Sequence, residues 1–131
     1  MKHKGSKGET CLYRERTIRS LFLQLKRSGA YHTIEEISKE ISTMKMDRYY
    51  VSEDRARDIY LRYRRTGDIE PCSKYAYTLR LGLVHECERI RKERGMSCIS
   101  HIVREAIERP AQSIGLSPNR IARILREGGM L

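Results

Sequence analysis

From Ile18 to Leu125 the apolar residues of this chain recur every three or four positions, in stretches punctuated by glycine, proline and capping residues. That interval lines side chains up on one face of an α-helix, so the chain is constrained to pack short amphipathic helices against one another. The first helix is expected over 10–28, where Ile18, Leu21, Phe22 and Leu25 share a face and Gly29 follows. Thr33 with Glu36 three positions on forms a capping-box pattern that opens a second helix, whose stripe is Ile34, Ile37, Ile41 and Met44. Ser52 is placed to cap a third, with Ala56, Ile59, Tyr60 and Tyr63 turned inward and Thr66 and Gly67 at its end. A long helix over 75–94 follows, closed by Gly95; Ser97 then precedes Ile99, Ile102, Val103, Ala106 and Ile107 at helical spacing. A last helix starts at Ser117, carries Pro118 in the first-turn position that tolerates it, and ends at Gly128 and Gly129.

The pattern predicts an all-α protein of two small helical modules, each of three to four short helices. Residues 1–9 read as a flexible basic tail, 10–68 as a three-helix module, 69–74 (containing Pro71) as the linker, and 75–131 as a helical domain. Trp is absent and Phe occurs once, so the core must be built from Ile, Leu, Val, Met and Tyr and is modest in size. Tyr49 and Tyr50 are expected to be buried in it rather than offered to a partner.

Charge narrows the class of partner. The 27 Lys and Arg exceed the 17 Asp and Glu, for a formal charge of +10, and the excess is concentrated at the ends. Residues 1–30 carry +6, 31–70 carry −1 and 71–131 carry +5. Such a balance favours a polyanion over a small acidic substrate and fits DNA and RNA alike. No apolar run approaches the roughly 20 residues that span a bilayer, and residues 1–6 lead into no signal core, so a cytoplasmic protein with no membrane partner is expected. Cys11, Cys72, Cys87 and Cys98 are widely spaced and are expected to be reduced.

The stretch AIERPAQSIGLSPNRIARILREG, residues 106–128, concentrates three features. Ala111 stands four residues before Gly115, a small residue ahead of one suited to a left-handed turn. Ile114 and Leu116 flank that glycine, and Ile121 and Ile124 follow six and nine residues after it. On the last helix Ile121, Ile124 and Leu125 share one face, while Asn119, Arg123 and Arg126 point the other way and Arg120 lies on the flank. In this spacing the segment 107–127 resembles the helix-turn-helix superfamily of DNA-binding proteins. Pro110 departs from the superfamily pattern, which has an apolar helix-interior residue there, and is expected to begin an abbreviated first helix over 110–114. The resemblance implies that the 117–127 helix enters the major groove. Asn119, Arg120 and Arg123 are then the base-reading candidates, and Ser117 and Arg126, with Lys2, Lys4 and Lys7 of the tail, the phosphate contacts.

The expected function is duplex DNA binding in a regulatory or architectural role, by a chain that is not an enzyme, needs no cofactor or metal and has no evident small-molecule substrate. A homodimer would supply a second reading helix. An RNA-binding or ribosome-associated protein, and a helical interaction adaptor with a merely solvated arginine face, are the alternatives. The 10–68 module is a weaker candidate for a second helix-turn-helix, with 33–44 as support and 52–65 as reader, or for a dimerisation surface. Asp54 and Asp58 beside Arg62 and Arg65 suggest an i, i+4 ion-pair lattice, and Leu61 projects away from the apolar face. His85 and Cys87, two apart on one helix, cannot face a common metal, which leaves Cys98 and His101 short of a zinc site. His101 and Arg104 match a His-x-x-Arg pair of tyrosine recombinases, but no tyrosine lies downstream of Tyr77 to act as nucleophile.

Overall fold

The computed structural model describes residues 8–95 and 97–129, and within them six helices follow one another: α1 Glu9–Arg27, α2 Ile34–Thr43, α3 Glu53–Thr66, α4 Lys74–Arg94, α5 Ile99–Ala106 and α6 Pro118–Glu127. Among the described residues the only β-type pairing is one isolated antiparallel bridge. The all-helical expectation therefore holds.

The helices begin where short polar side chains can take up orphan backbone N–H groups. In α2 the capping box is complete: the Glu36 N–H donates to Thr33 Oγ1 at 3.1 Å and the Thr33 N–H to Glu36 Oε1 at 3.0 Å. Ser52, Ser73 and Ser117 each accept from the backbone N–H three residues on, at 3.1–3.2 Å. At α5 the cap position falls on Cys98 rather than the expected Ser97, and its side chain makes no capping bond. Gly67 ends α3 in the left-handed region at φ +81°, where its N–H reaches the Tyr63 carbonyl at 2.7 Å.

The packing does not follow the expected division at 69–74. α3, α4 and α5 pack mutually, while α6 lies along α2 and touches α1, which also packs on α2. Residues 74–106 thus pack with α3, and 69–73 turn the chain from α3 into α4. An inter-helix turn needs the same periodicity-breaking proline and glycine as a linker, so the sequence looks alike in both cases. One apolar cluster runs through both groups and takes residues from all six helices, from Ile18 and Phe22 of α1 to Ile124 and Leu125 of α6.

The two groups are joined by the chain segments before α3 and before α6, which bond to each other. Met46 and Ala111 exchange both backbone hydrogen bonds at 2.9 Å, and the Tyr49 N–H donates to the Ile107 carbonyl at 2.9 Å. This pairing replaces the abbreviated helix expected over 110–114. Pro110 has no N–H, and both backbone groups of Ala111 are committed to Met46, so the residues after α5 run irregularly to Ser117. Tyr49 and Tyr50, 3% exposed each, fill the space beneath. The Tyr50 hydroxyl donates to Asp47 Oδ1 at 2.9 Å and accepts from Thr17 Oγ1 at 3.3 Å, tying the segment to α1. Arg109 fixes the exit from α5 to α4 and back onto α5, with guanidinium contacts of 2.6 Å to Glu86 and 2.9 Å to Glu105.

Candidate nucleic-acid interface

α6 owes its direction to what it buries. Ile121, Ile124 and Leu125 are 0–3% exposed, and Ala122 joins them, so the inward arc spans nearly half the helix. At about 100° per residue this leaves Asn119, Arg120, Arg123, Arg126 and Glu127 on the opposite arc, and all five are exposed. The helices that support it are α2 and α1 rather than α5, the helix before it in the chain, so the first-module helix expected to back α3 backs α6 instead.

The turn that aims α6 depends on Gly115, whose φ of +80° is the left-handed conformation expected of it. Its α-carbon also lies against Leu79: a Cβ there would sit 2.5 Å from Leu79 Cδ2. Ala111, expected to let two helices approach, serves the Met46 bridge.

The start of α6 is an opening for an anion. Ser117 Oγ accepts from the Arg120 N–H at 3.2 Å, which leaves its hydroxyl proton free to donate. Pro118 has no N–H, and the Asn119 N–H, second in the helix, has no intrahelical acceptor. A phosphate oxygen there would meet that amide, the Ser117 hydroxyl and the positive end of the helix dipole.

The cationic side chains of α6 differ in freedom. Among the described residues the Arg120 and Arg123 guanidiniums make no hydrogen bond or ion pair, and Glu127 pairs with neither. Arg126 is bound to the Glu35 carboxylate at the start of α2, and the contact is exposed on both sides. Asn119, Arg120 and Arg123 are therefore presented together, with Ser117 at their base, whereas Arg126 is partly neutralised. Lys2, Lys4 and Lys7 lie outside the described residues.

Elsewhere about half of the arginines are held by carboxylates within the fold. Glu88 receives Tyr60, Arg64 and Arg91, the two arginines at 3.2 Å each; Glu105 receives Arg94 and Arg109; and Arg104 holds Glu53 across α3 and α5. Burial pushes the Glu88 carboxyl up, but the hydrogen bonds from Tyr60, Arg91 and Arg64 outweigh it and hold the group below the ordinary carboxylate range. On α3 the expected i, i+4 lattice is absent: Asp54 pairs with Arg57 at 2.9 Å, and Arg62 Nε is buried without a hydrogen-bond partner. Leu61 is exposed, as its position predicted.

Cys87 is fully buried while His85, Cys98 and His101 are exposed, and among the described residues no three His, Cys, Asp or Glu side chains converge as a metal site would require. No described helix is long and apolar enough to cross a membrane. Comparison of the chain with protein-family models, with curated proteins and with solved structures finds no match.

Sequence reasoning missed two features of this surface. Glu35 lies 91 residues from Arg126 and its contact depends on how α2 crosses α6, which has no local signature. A cleft lined by Arg14, Arg55 and Arg80 opens beside the 114–116 turn that leads into α6, built from residues on three helices with no common spacing.

Proposed function

We propose that the protein binds duplex DNA by laying the outer arc of α6 in the major groove, in a regulatory or architectural role. The carrying observation is the combination on one helix of an apolar face locked against α2 and α1 with an exposed Asn119, Arg120 and Arg123 free of carboxylates among the described residues. Guanidinium groups match the paired acceptors of guanine and the phosphate oxygens, and an asparagine amide matches the acceptor and donor of adenine. Of the helix-turn-helix pattern in 107–127 the second helix and the Gly115 turn are formed, and α2 takes the place of the first helix as the scaffold of the proposed reading helix.

One ten-residue helix covers a few base pairs, so the lysines at positions 2, 4 and 7, or a second copy of the chain presenting its own α6, supply the remaining affinity. Fluorescence anisotropy with a labelled duplex selected from a random pool tests the proposal. Arg120→Ala and Arg123→Ala are each expected to cost about 1 to 3 kcal/mol and to relax preference at one position of the site. RNA of the same sequence competes weakly in this account. Equal competition by RNA supports the RNA-binding alternative, and negligible duplex binding at moderate salt supports the adaptor alternative.

A further inference from the structure

We infer that the cleft between α1, α3 and α4, beside the turn leading into α6, is a second phosphate-binding site. It has a volume of about 580 Å³, and Arg14, Arg55 and Arg80 line it, with Ile114, Gly115 and Leu116 forming the wall next to α6.

The lining points to an oxyanion. Arg55 and Arg80, like Arg62 and Arg65, enter no ion pair among the described residues, whereas Arg64, Arg91, Arg94, Arg104 and Arg109 are taken up by Glu88, Glu105, Glu86 and Glu53. Arg14 Nε is buried with no hydrogen-bond partner, and among the described residues its guanidinium has one polar contact, Nη2 to Cys11 Sγ at 3.6 Å, a weak acceptor. A buried guanidinium N–H left without an acceptor costs free energy that a phosphate oxygen would recover. Of the nearby carboxylates, Glu9 and Asp54 line the cleft and Asp54 is already held by Arg57 at 2.9 Å, while Asp58 and Glu70 share an adjoining recess with Arg55, Arg62 and Arg80 and form an ion pair with none of them. The N-terminal ends of α1 and α3, at Gly8 and Ser52, also open on the cleft, so both helix dipoles present their positive ends to it.

Position gives the site its use. Leu116 of the cleft wall immediately precedes Ser117, so the cleft adjoins the start of α6, and in the proposed mode it takes a phosphate flanking the bases met by Asn119, Arg120 and Arg123. The phosphate group itself follows from the cleft alone; its belonging to duplex DNA rests on the proposed function.

The test uses the full chain, with Arg55→Gln/Arg80→Gln as the variant and Arg55→Lys/Arg80→Lys as the charge-preserving control. Inorganic phosphate titrated into ¹⁵N-labelled protein is expected to shift the Arg14 and Arg80 side-chain Nε–H resonances and the Gly115 amide. In the variants the readout is the Arg14 Nε–H and the Gly115 amide: the Gln variant abolishes their shifts and the Lys variant retains most of the charge-dependent response. On a duplex, the Gln variant is expected to bind about tenfold more weakly at moderate salt, with the slope of log K against log salt reduced by about 2. If wild type binds no duplex but phosphate still shifts these resonances, the cleft holds the phosphate of a smaller ligand and the DNA reading alone fails. If phosphate shifts nothing in the cleft and the salt slope is unchanged in the Gln variant, the cleft inference is overturned while duplex binding through α6 stands.

Discussion

Gly115 shows how much one residue can decide. It sits in the left-handed region and against Leu79, so Gly115→Ala adds both backbone strain and a Cβ placed 2.5 Å from a leucine methyl. Strain and overpacking together predict a loss of about 2 to 4 kcal/mol, read as a fall in the urea midpoint without a change in m. Two buried acids govern the alkaline limit. Burial, with the Glu86 and Glu88 charges adding to it, pushes the Cys87 thiol up from 9.0 to about 12; burial and the bond to Glu88 push Tyr60 up from 10.0 to about 12. Both groups ionise more easily in the unfolded chain, so the stability they confer is complete below pH 9 and is lost as pH rises from 9 to 12. Urea midpoints measured across that range should decline, and Tyr60→Phe should make the decline shallower above pH 10.

Among the elements, the helices are the part that could be read from residues alone, because periodicity and capping are local. Thr33 and Glu36, Ser52, Ser73 and Ser117 sit beside the amides they cap, and the buried faces of α2, α3 and α6 are those their spacing predicts. Thr33→Ala should therefore cost about 1 kcal/mol in thermal or urea unfolding. The connection after α5 was not legible. Residues 107–117 take their shape from bonds to Met46 and Tyr49, more than 50 positions away, and no spacing within 107–117 announces such partners. The candidate site divides in the same way. The outward set on α6 follows from its wheel, whereas the tie between Arg126 and Glu35 depends on a helix crossing. Because that tie occupies one guanidinium of the reading arc, Glu35→Gln is expected to raise duplex affinity, by up to about fivefold at low salt, the range set by an exposed ion pair. An anisotropy titration that finds weaker binding would count against a phosphate role for Arg126.

At the scale of the molecule, α1, α2 and α6 enclose one end of the chain's apolar cluster and α3, α4 and α5 the other, with paired connections between them. A single cluster with two crossing segments implies that the groups unfold together, so α-helix content and tyrosine fluorescence should report coincident urea transitions. Separate transitions would mean that the halves are independent modules after all. The same arrangement holds the inner face of α6 against the core with its polar arc outward, as the proposed binding mode requires. The most direct test is an NMR titration of the ¹⁵N-labelled full chain with its selected duplex. The account predicts that the largest perturbations fall on Asn119, Arg120, Arg123 and the Ser117 amide, with the buried Ile121 and Leu125 moving less. Perturbations concentrated on another face, with α6 unmoved, would contradict it.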